Sequence, residues 1–236
     1  MMSRFVFTVA GRNLPKTVAM AASCSHRQAF CLPACLEKRC KRYSTKASVL
    51  KKVVPEFWIM KMKTGFAWGD VNGDGYVTEE DFASWIKEMS RLFPDMNEEQ
   101  KKILETKLDR VWGDIHGGKG KGPDYKVTES MYIEKFFNIV NKEGAEGMMR
   151  KEWQNNFAVM DTDQDGVISK AEHRRFFEAR KQFDPNGAIV AFSAIDKDMD
   201  GFIRCDEYVE AAMEFFFNFS DETKPSKYFF GPLVKM

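Results

Sequence analysis

Three stretches of this chain place oxygen-bearing side chains two residues apart and follow them with glycine, an apolar residue and a closing acid. They are Asp70-Val-Asn72-Gly-Asp74-Gly75-Tyr76-Val77-Thr-Glu-Glu-Asp81, Asp161-Thr-Asp163-Gln-Asp165-Gly166-Val167-Ile168-Ser-Lys-Ala-Glu172 and Asp196-Lys-Asp198-Met-Asp200-Gly201-Phe202-Ile203-Arg-Cys-Asp-Glu207. The last two begin 35 residues apart, which marks an internal repeat. All three fit the twelve-residue loop of an EF-hand, the first with Asp in place of the closing Glu. The chemistry is the capture of a hard cation. Ca²⁺ takes six to eight oxygens at about 2.3–2.6 Å. Positions 1, 3 and 5 supply Asp70, Asn72 and Asp74, then Asp161, Asp163 and Asp165, then Asp196, Asp198 and Asp200. Position 6 turns sharply, and glycine adopts the required backbone without a steric penalty. Position 7 offers only a carbonyl, so Tyr76, Val167 and Phe202 are acceptable there. Position 12 closes the shell with Asp81, Glu172 or Glu207. Isolated acidic runs usually coat a solvated face, but three runs with the same offsets are not explained that way.

Such loops need a helix on each side, and the flanks supply them. Trp153, Phe157 and Met160 precede the loop at 161–172 with helical spacing, and Ile189, Phe192 and Ile195 precede the loop at 196–207. Phe82, Trp85, Ile86 and Met89 follow the first loop; Tyr208, Ala212, Phe215 and Phe219 follow the last. These are expected to be core residues. An EF-hand leaves its apolar face and its loop strand unpartnered unless it pairs with another. The first loop therefore requires a mate. Asn97 is a candidate N-cap, with Glu98 and Glu99 in the first turn of a helix through Ile103, Leu104, Leu108, Val111 and Trp112. A Gly/Lys-rich stretch from Gly117 to Gly122 follows, then a helix with Met131, Tyr132, Phe136, Phe137 and Val140. With Val127 at position 8, only Asp124 falls on a ligand position, and Lys119, Lys121 and Lys126 oppose a cation. This hand is expected to be structural and metal-free. The Gly/Lys stretch lacks the spacing of a phosphate-binding loop.

Composition sets outer limits. The chain has 236 residues, 44% of them hydrophobic, with 21 Phe, enough to bury a core. Its mean hydropathy of −0.44 excludes a polytopic membrane protein. No apolar run reaches the roughly 18 residues of a membrane span. The net charge of +1 hides an uneven distribution: residues 1–43 carry +7 and the remainder −6. An acidic body suits cations and not nucleic acid. Cys24, Cys31, Cys35 and Cys40 lie in the leader and only Cys205 in the body, which points to a reducing, intracellular compartment. The leader is rich in Arg, Ser and Thr, nearly free of acid, and has no compact apolar core. It reads as a transit peptide for the mitochondrial matrix, with a processing junction near Arg42-Tyr43-Ser44, or else as a disordered basic arm on a cytoplasmic protein.

The body, from about Phe57 to Val234, resembles the invertebrate sarcoplasmic calcium-binding proteins of the EF-hand superfamily. The residues that carry the likeness are Lys61-Met62-Lys63-Thr64, the first loop, the disabled second loop with Gly117-Gly118-Lys119-Gly120, the two strong loops, and Gly231-Pro232-Leu233-Val234. The resemblance implies an all-α fold: four EF-hands in two pairs packed into one compact globule, with two-residue strands between paired loops. It also implies a non-enzymatic buffer that takes both Ca²⁺ and Mg²⁺. The expected organisation is a leader over 1–46, a first EF-hand pair over 50–143 and a second pair with an apolar tail over 144–236. Three Ca²⁺ sites are expected, with Mg²⁺ competing most effectively at the first loop, because Asp81 is one methylene shorter than Glu and Asn72 removes a charge. The chain is expected to act as a monomer or weak dimer without an obligate protein partner.

Two other roles compete. A calcium sensor would open an apolar groove to a partner helix. However, residues 141–160 contain no hydrophilic tether: Gly144 and Gly147 break the helix, and Met148, Met149 and Trp153 resume the apolar pattern. Tyr228-Phe229-Phe230 could fill a groove from within. A carrier of an apolar luciferin-type ligand would use the aromatic core, although the photoprotein reaction needs more histidines than the body's His116 and His173. No Ser/His/Asp order, H-E-x-x-H or nucleotide fingerprint is present.

Overall fold

The computed structural model describes residues 54–180 and 184–234. The leader, with its proposed processing junction and four cysteines, lies outside the described residues. Each loop is framed by two helices. The first hand comprises α1 (Glu56–Gly69) and α2 (Glu79–Leu92), and the second α3 (Glu98–Lys107) and α4 (Glu129–Val140). The third comprises α5 (Ala145–Met160), strand β1 (Val167–Ser169) and α6 (Lys170–Glu178). The fourth comprises α7 (Pro185–Ile195), β2 (Phe202–Arg204) and α8 (Cys205–Phe217), followed by a 3₁₀ turn at Pro225–Tyr228.

Local chemistry sets these boundaries. Thr78 and Ser169 cap α2 and α6, and the third residue of each helix, Asp81 or Glu172, reaches back to the cap's backbone N–H. One acid thus serves both as helix cap and as loop closure. Asn97 caps α3 in the same way with Gln100. Asp184 and Pro185 start α7, the proline taking a position where its missing N–H costs nothing.

The expected helix through Trp112 changes character on the way. After Lys107 it widens over Leu108–Ile115, and His116 N donates to Val111 O, five residues back, at 2.9 Å. The widening turns Trp112 and His116 into the core, where both are buried. Gly118 then lies so close to the Trp112 indole that a Cβ would stand 2.3 Å from the ring. The glycines of this stretch therefore also serve packing.

The loops pair as expected, with a difference in length. Val77 and Val127 exchange two backbone hydrogen bonds of 2.9 Å as a single antiparallel bridge. The other pair forms three-residue strands in register Val167–Arg204, Ile168–Ile203 and Ser169–Phe202. Position 8 is fully buried in every loop: Val77, Val127, Ile168 and Ile203 each have 0% exposure.

The two pairs share one core. Trp58 of α1 stacks on Phe219 at 5.1 Å, and its indole N–H donates to Phe216 O at the end of α8 at 2.7 Å. Lys61, also on α1, is buried and donates to the carbonyls of Glu214 and Asn218. Burial pulls its ammonium down to about 7, against the attraction of Glu214. Phe136 of α4 stacks on Phe216 at 5.2 Å. The C-terminal Phe229 is buried among Trp153, Tyr208 and Phe215, and Val234 N donates to Thr64 Oγ1 at 3.1 Å. The tail therefore does fill the groove of the second pair. Ile189, expected to face inward, is 64% exposed, and α7 packs through Ala188, Ala191, Phe192 and Ile195 instead.

Candidate metal centres

In the loop at 161–172 the carboxylates of Asp161, Asp163 and Asp165 converge, with one oxygen from each within 4.8 Å of the others. Secondary bonds aim them. Asp161 Oδ2 accepts from Gly166 N at 3.2 Å, and Asp165 Oδ1 from Val167 N at 3.0 Å. Asp161 Oδ1 is buried and has no hydrogen-bond partner. Burial, then the neighbouring Glu172, Asp165 and Asp163, hold the Asp161 carboxyl above its ordinary range. Burial also pushes Glu172 upward, but hydrogen bonds from Ser169 and Thr162 prevail and hold it below the usual value. Glu172 Oε1 accepts from Thr162 N at 2.8 Å, and Oε2 from Ser169 N at 2.9 Å.

The loop at 196–207 repeats the plan. Oxygens of Asp196, Asp198 and Glu207 lie within 4.8 Å of one another, and Asp196 Oδ1 is again buried without a partner. Glu207 accepts from Lys197 N and Arg204 N, both at 2.9 Å. One residue intrudes: Arg204, at position 9, places Nη1 on Asp198 Oδ2 at 2.9 Å and Nη2 on Asp200 Oδ2 at 2.6 Å. Its guanidinium occupies two carboxylates that a cation would use.

The first loop is arranged differently. Asp70 turns both oxygens onto its own loop, accepting from Gly73 N at 2.8 Å, Asp74 N at 3.1 Å and Gly75 N at 2.8 Å. Asn72 donates its amide to Asp74 Oδ2 at 3.3 Å. Asp81 accepts from Thr78 N and from Asn72 N, the N–H of position 3, whereas Glu172 and Glu207 reach the N–H of position 2. That offset is what one missing methylene produces. Among the described residues the three acids of this loop do not converge as the other two sets do. Tyr76, Val167 and Phe202 stand at position 7, with Val167 and Phe202 opening the two strands.

The second loop presents no acid cluster among the described residues. Its lysines have other partners: Lys119 pairs with Asp114 at 3.7 Å, Lys121 lies over Tyr125, and Lys126 lies over Tyr76 of the neighbouring loop at 4.9 Å.

The donor chemistry fits a divalent cation. Two buried carboxylate oxygens without partners, each at position 1 of an oxygen-rich loop, are costly groups that an ion would satisfy. When bound, the ion supplies the positive charge that these loops lack. Backbone strain supports the same reading. Gln164 (φ 60°) and Met199 (φ 58°), both at position 4, are left-handed without being glycine, a conformation the loop imposes at a cost. Sequence reasoning missed this, having assigned the turn to position 6 alone. It also missed Arg204, which sits inside the motif at a position the pattern leaves open. Gln100 escaped notice as well. Its amide donates to Ala158 O at 2.8 Å and Asp161 O at 2.6 Å, tying α3 of the second hand to the first residue of the third loop.

Known proteins agree with this geometry. A family model described as "EF hand" matches residues 156–177 and 189–207. A sarcoplasmic calcium-binding protein of Perinereis vancaurica tetradentata is 32% identical over 183 residues, spanning 76% of this chain and 99% of that protein. A luciferin-binding protein of Renilla reniformis is 26% identical over 75% of this chain and 95% of its own length. Among solved structures, okadaic acid binding protein 2.1 superposes with a TM-score of 0.61 at 27% identity, over 77% of this chain and 98% of that one. With its paired loops, its converging carboxylates and a relative matched along almost its whole length, this chain belongs to the sarcoplasmic calcium-binding proteins, within the EF-hand superfamily.

Proposed function

We propose that the protein is an intracellular Ca²⁺/Mg²⁺ buffer with three ion sites, at 70–81, 161–172 and 196–207, and a second hand that serves only as a structural mate. The observation that carries the buffer reading is the state of the grooves. A sensor needs an apolar groove that can open to a partner. Here Phe229 fills the groove of the second pair, and α1 is bound to the end of α8 through Trp58 and Lys61. Among the described residues, the large apolar side chains left exposed, Tyr76, Met148, Ile189, Met199 and Phe202, stand on different elements and include three loop positions. The relative of Perinereis is itself named a sarcoplasmic calcium-binding protein, which supports this reading.

Calcium titration in the presence of roughly millimolar Mg²⁺, read by calorimetry and by apolar-dye fluorescence, tests this. The expected stoichiometry is three ions per chain with no rise in dye binding. Glu172→Gln and Glu207→Gln should each remove one site, because position 12 gives the shell two of its oxygens. Asp124→Ala should leave the count unchanged. Four ions per chain, or a dye signal that rises with calcium, would refute the proposal.

A further inference from the structure

The chain holds two Asn-Gly pairs, Asn72-Gly73 in the first ion loop and Asn186-Gly187 at the start of α7. Asparagine is a labile residue, and a following glycine exposes it most, because no side chain shields the glycine nitrogen from the amide. In the reaction that results, this nitrogen bonds to the asparagine Cγ and the side-chain amide leaves as ammonia. The two pairs stand in opposite settings. Asn72 and Gly73 are exposed, outside any helix or strand, and Gly73 is left-handed at φ 75°. Asn186 and Gly187 lie in the first turn of α7. A helix holds ψ at about −42°, and ring closure requires that angle to turn. Gly187 is also buried, and a Cβ at Gly231 would stand 3.4 Å from its Cα.

Hydrogen bonds around Asn72 prepare the reacting atoms. Asp74 N donates to Asn72 Oδ1 at 2.8 Å, which folds the side-chain carbonyl over the Gly73 peptide and draws electron density from Cγ. Gly73 N donates to Asp70 Oδ1 at 2.8 Å, so a carboxylate stands where the proton of the attacking nitrogen must go. The leaving group, Nδ2, lies 3.3 Å from Asp74 Oδ2. A bound ion would take Asn72 Oδ1 as its ligand at position 3, together with Asp70 and Asp74, and hold all three in place. Ion binding and this reaction therefore compete for the same atoms.

We infer that Asn72 deamidates itself while the first loop is free of ion, so that the loop keeps a lasting record of its ion-free time. This rests on the reading of 70–81 as an ion site. The bond from Gly73 N to Cγ forms, the bond from Cγ to Nδ2 breaks, and ammonia departs with the Gly73 proton. Water then opens the cyclic imide at either carbonyl. Opening at Cγ leaves Asp at 72, the acid that Asp163 and Asp198 provide at position 3 of the other loops, and calcium should bind more tightly. Opening at the main-chain carbonyl routes the backbone through Cγ. That adds one atom to the loop, shifts Gly75 in its turn and Val77 in its bridge to Val127, and should abolish the site.

The test ages the full chain for days at neutral pH, in saturating calcium or in chelator, and follows Asn72 and Asn186 by peptide mass. In chelator Asn72 should deamidate at least tenfold faster than Asn186, and calcium should slow Asn72 at least fivefold. If chelator unfolds the chain, Asp81→Ala gives the same comparison in saturating calcium, with the other two loops loaded: Asn72 should again run at least tenfold ahead of Asn186. Asn72→Asp, the first product, should bind calcium at this loop severalfold more tightly than wild type. Equal rates at Asn72 and Asn186 in Asp81→Ala, or an Asn72 no slower in calcium-loaded wild type than in that variant, overturns the inference. Calcium stoichiometry on fresh samples separates the two readings. Two ions per chain would strike the three-site proposal itself, whereas three ions with an unprotected Asn72 would strike only this one.

Discussion

Two residues are expected to set how the loops differ. The first is Asp81. Its carboxylate reaches the N–H of Asn72, one residue short of where the glutamates of the other loops arrive. A single-oxygen closure suits the six-coordinate shell of Mg²⁺, at about 2.0–2.1 Å, better than the larger shell of Ca²⁺. Asp81→Glu should therefore raise calcium affinity at this site severalfold and reduce competition by magnesium, leaving the other two sites as they were. An unchanged Ca²⁺/Mg²⁺ preference would show that side-chain length does not set it. The second is Arg204. Hydrogen bonding from Phe202 N and from Arg204 holds the Asp200 carboxyl below its usual range, and the guanidinium must leave before an ion can enter. Arg204→Ala should tighten calcium at 196–207 severalfold, with the largest gain at low salt, where like-charge repulsion is least screened. Equal affinities in wild type and variant at low ionic strength would remove Arg204 from the account.

Among the elements, α3 has a task beyond pairing with the first hand. Gln100 donates to two carbonyls of the third hand, and it is buried at 3% exposure. Gln100→Leu would leave both acceptors and the Asn97 backbone N–H without their partner, at a cost of about 1–3 kcal/mol per lost buried partner. It should also weaken calcium at 161–172, because Asp161 O is one of those acceptors. Asn97→Ala is the control: it should cost about 1 kcal/mol of stability through the cap alone and spare that site. Equal effects of the two on calcium would deny the cross-link a role. These comparisons show what the sequence discloses. Loops and caps were legible because each depends on residues within a dozen positions, Thr78 with Asp81, Asn97 with Gln100, Gly166 after Asp165, and the strand partners because each loop carries its apolar residue at the same position 8. The widened turn at Leu108–Ile115 was not, since it is set by where Trp112 and His116 find room. Neither was the contact of Gln100 with Asp161, 61 residues away, nor that of Arg180 with Trp68, 112 residues away. Ile189 shows the limit of periodicity: it has the spacing of a core residue, but the buried face of α7 runs through Ala188, Ala191, Phe192 and Ile195 and leaves Ile189 outside.

For the molecule as a whole, stability should fall in mild acid. His116 and His173 are buried at 3% and 2% exposure, and burial pulls both down to about 3. The unfolded chain protonates them near pH 6.5. Between about pH 6.5 and 3 the unfolded state therefore binds protons that the native state refuses, and stability drops as pH falls. The upper bound is about 1.4 kcal/mol per unit for each histidine. Asp161, held high, opposes this trend, since its native form takes a proton early. Urea titrations of wild type and His173→Phe at pH 7, 6 and 5 isolate one histidine. The gap between the two should narrow or reverse toward acid, and a constant gap would refute the assignment. Lys61 gives the junction of the two halves a chemical handle. Its amine is buried against the end of α8 and loses much of its charge near neutrality, while the other described lysines, Lys107 apart, are at least partly exposed. An amine-acylating reagent should modify those lysines at once and Lys61 only when α1 lifts from α8. The time course of that single modification, followed by peptide mass, would then act as a clock for separation of the halves.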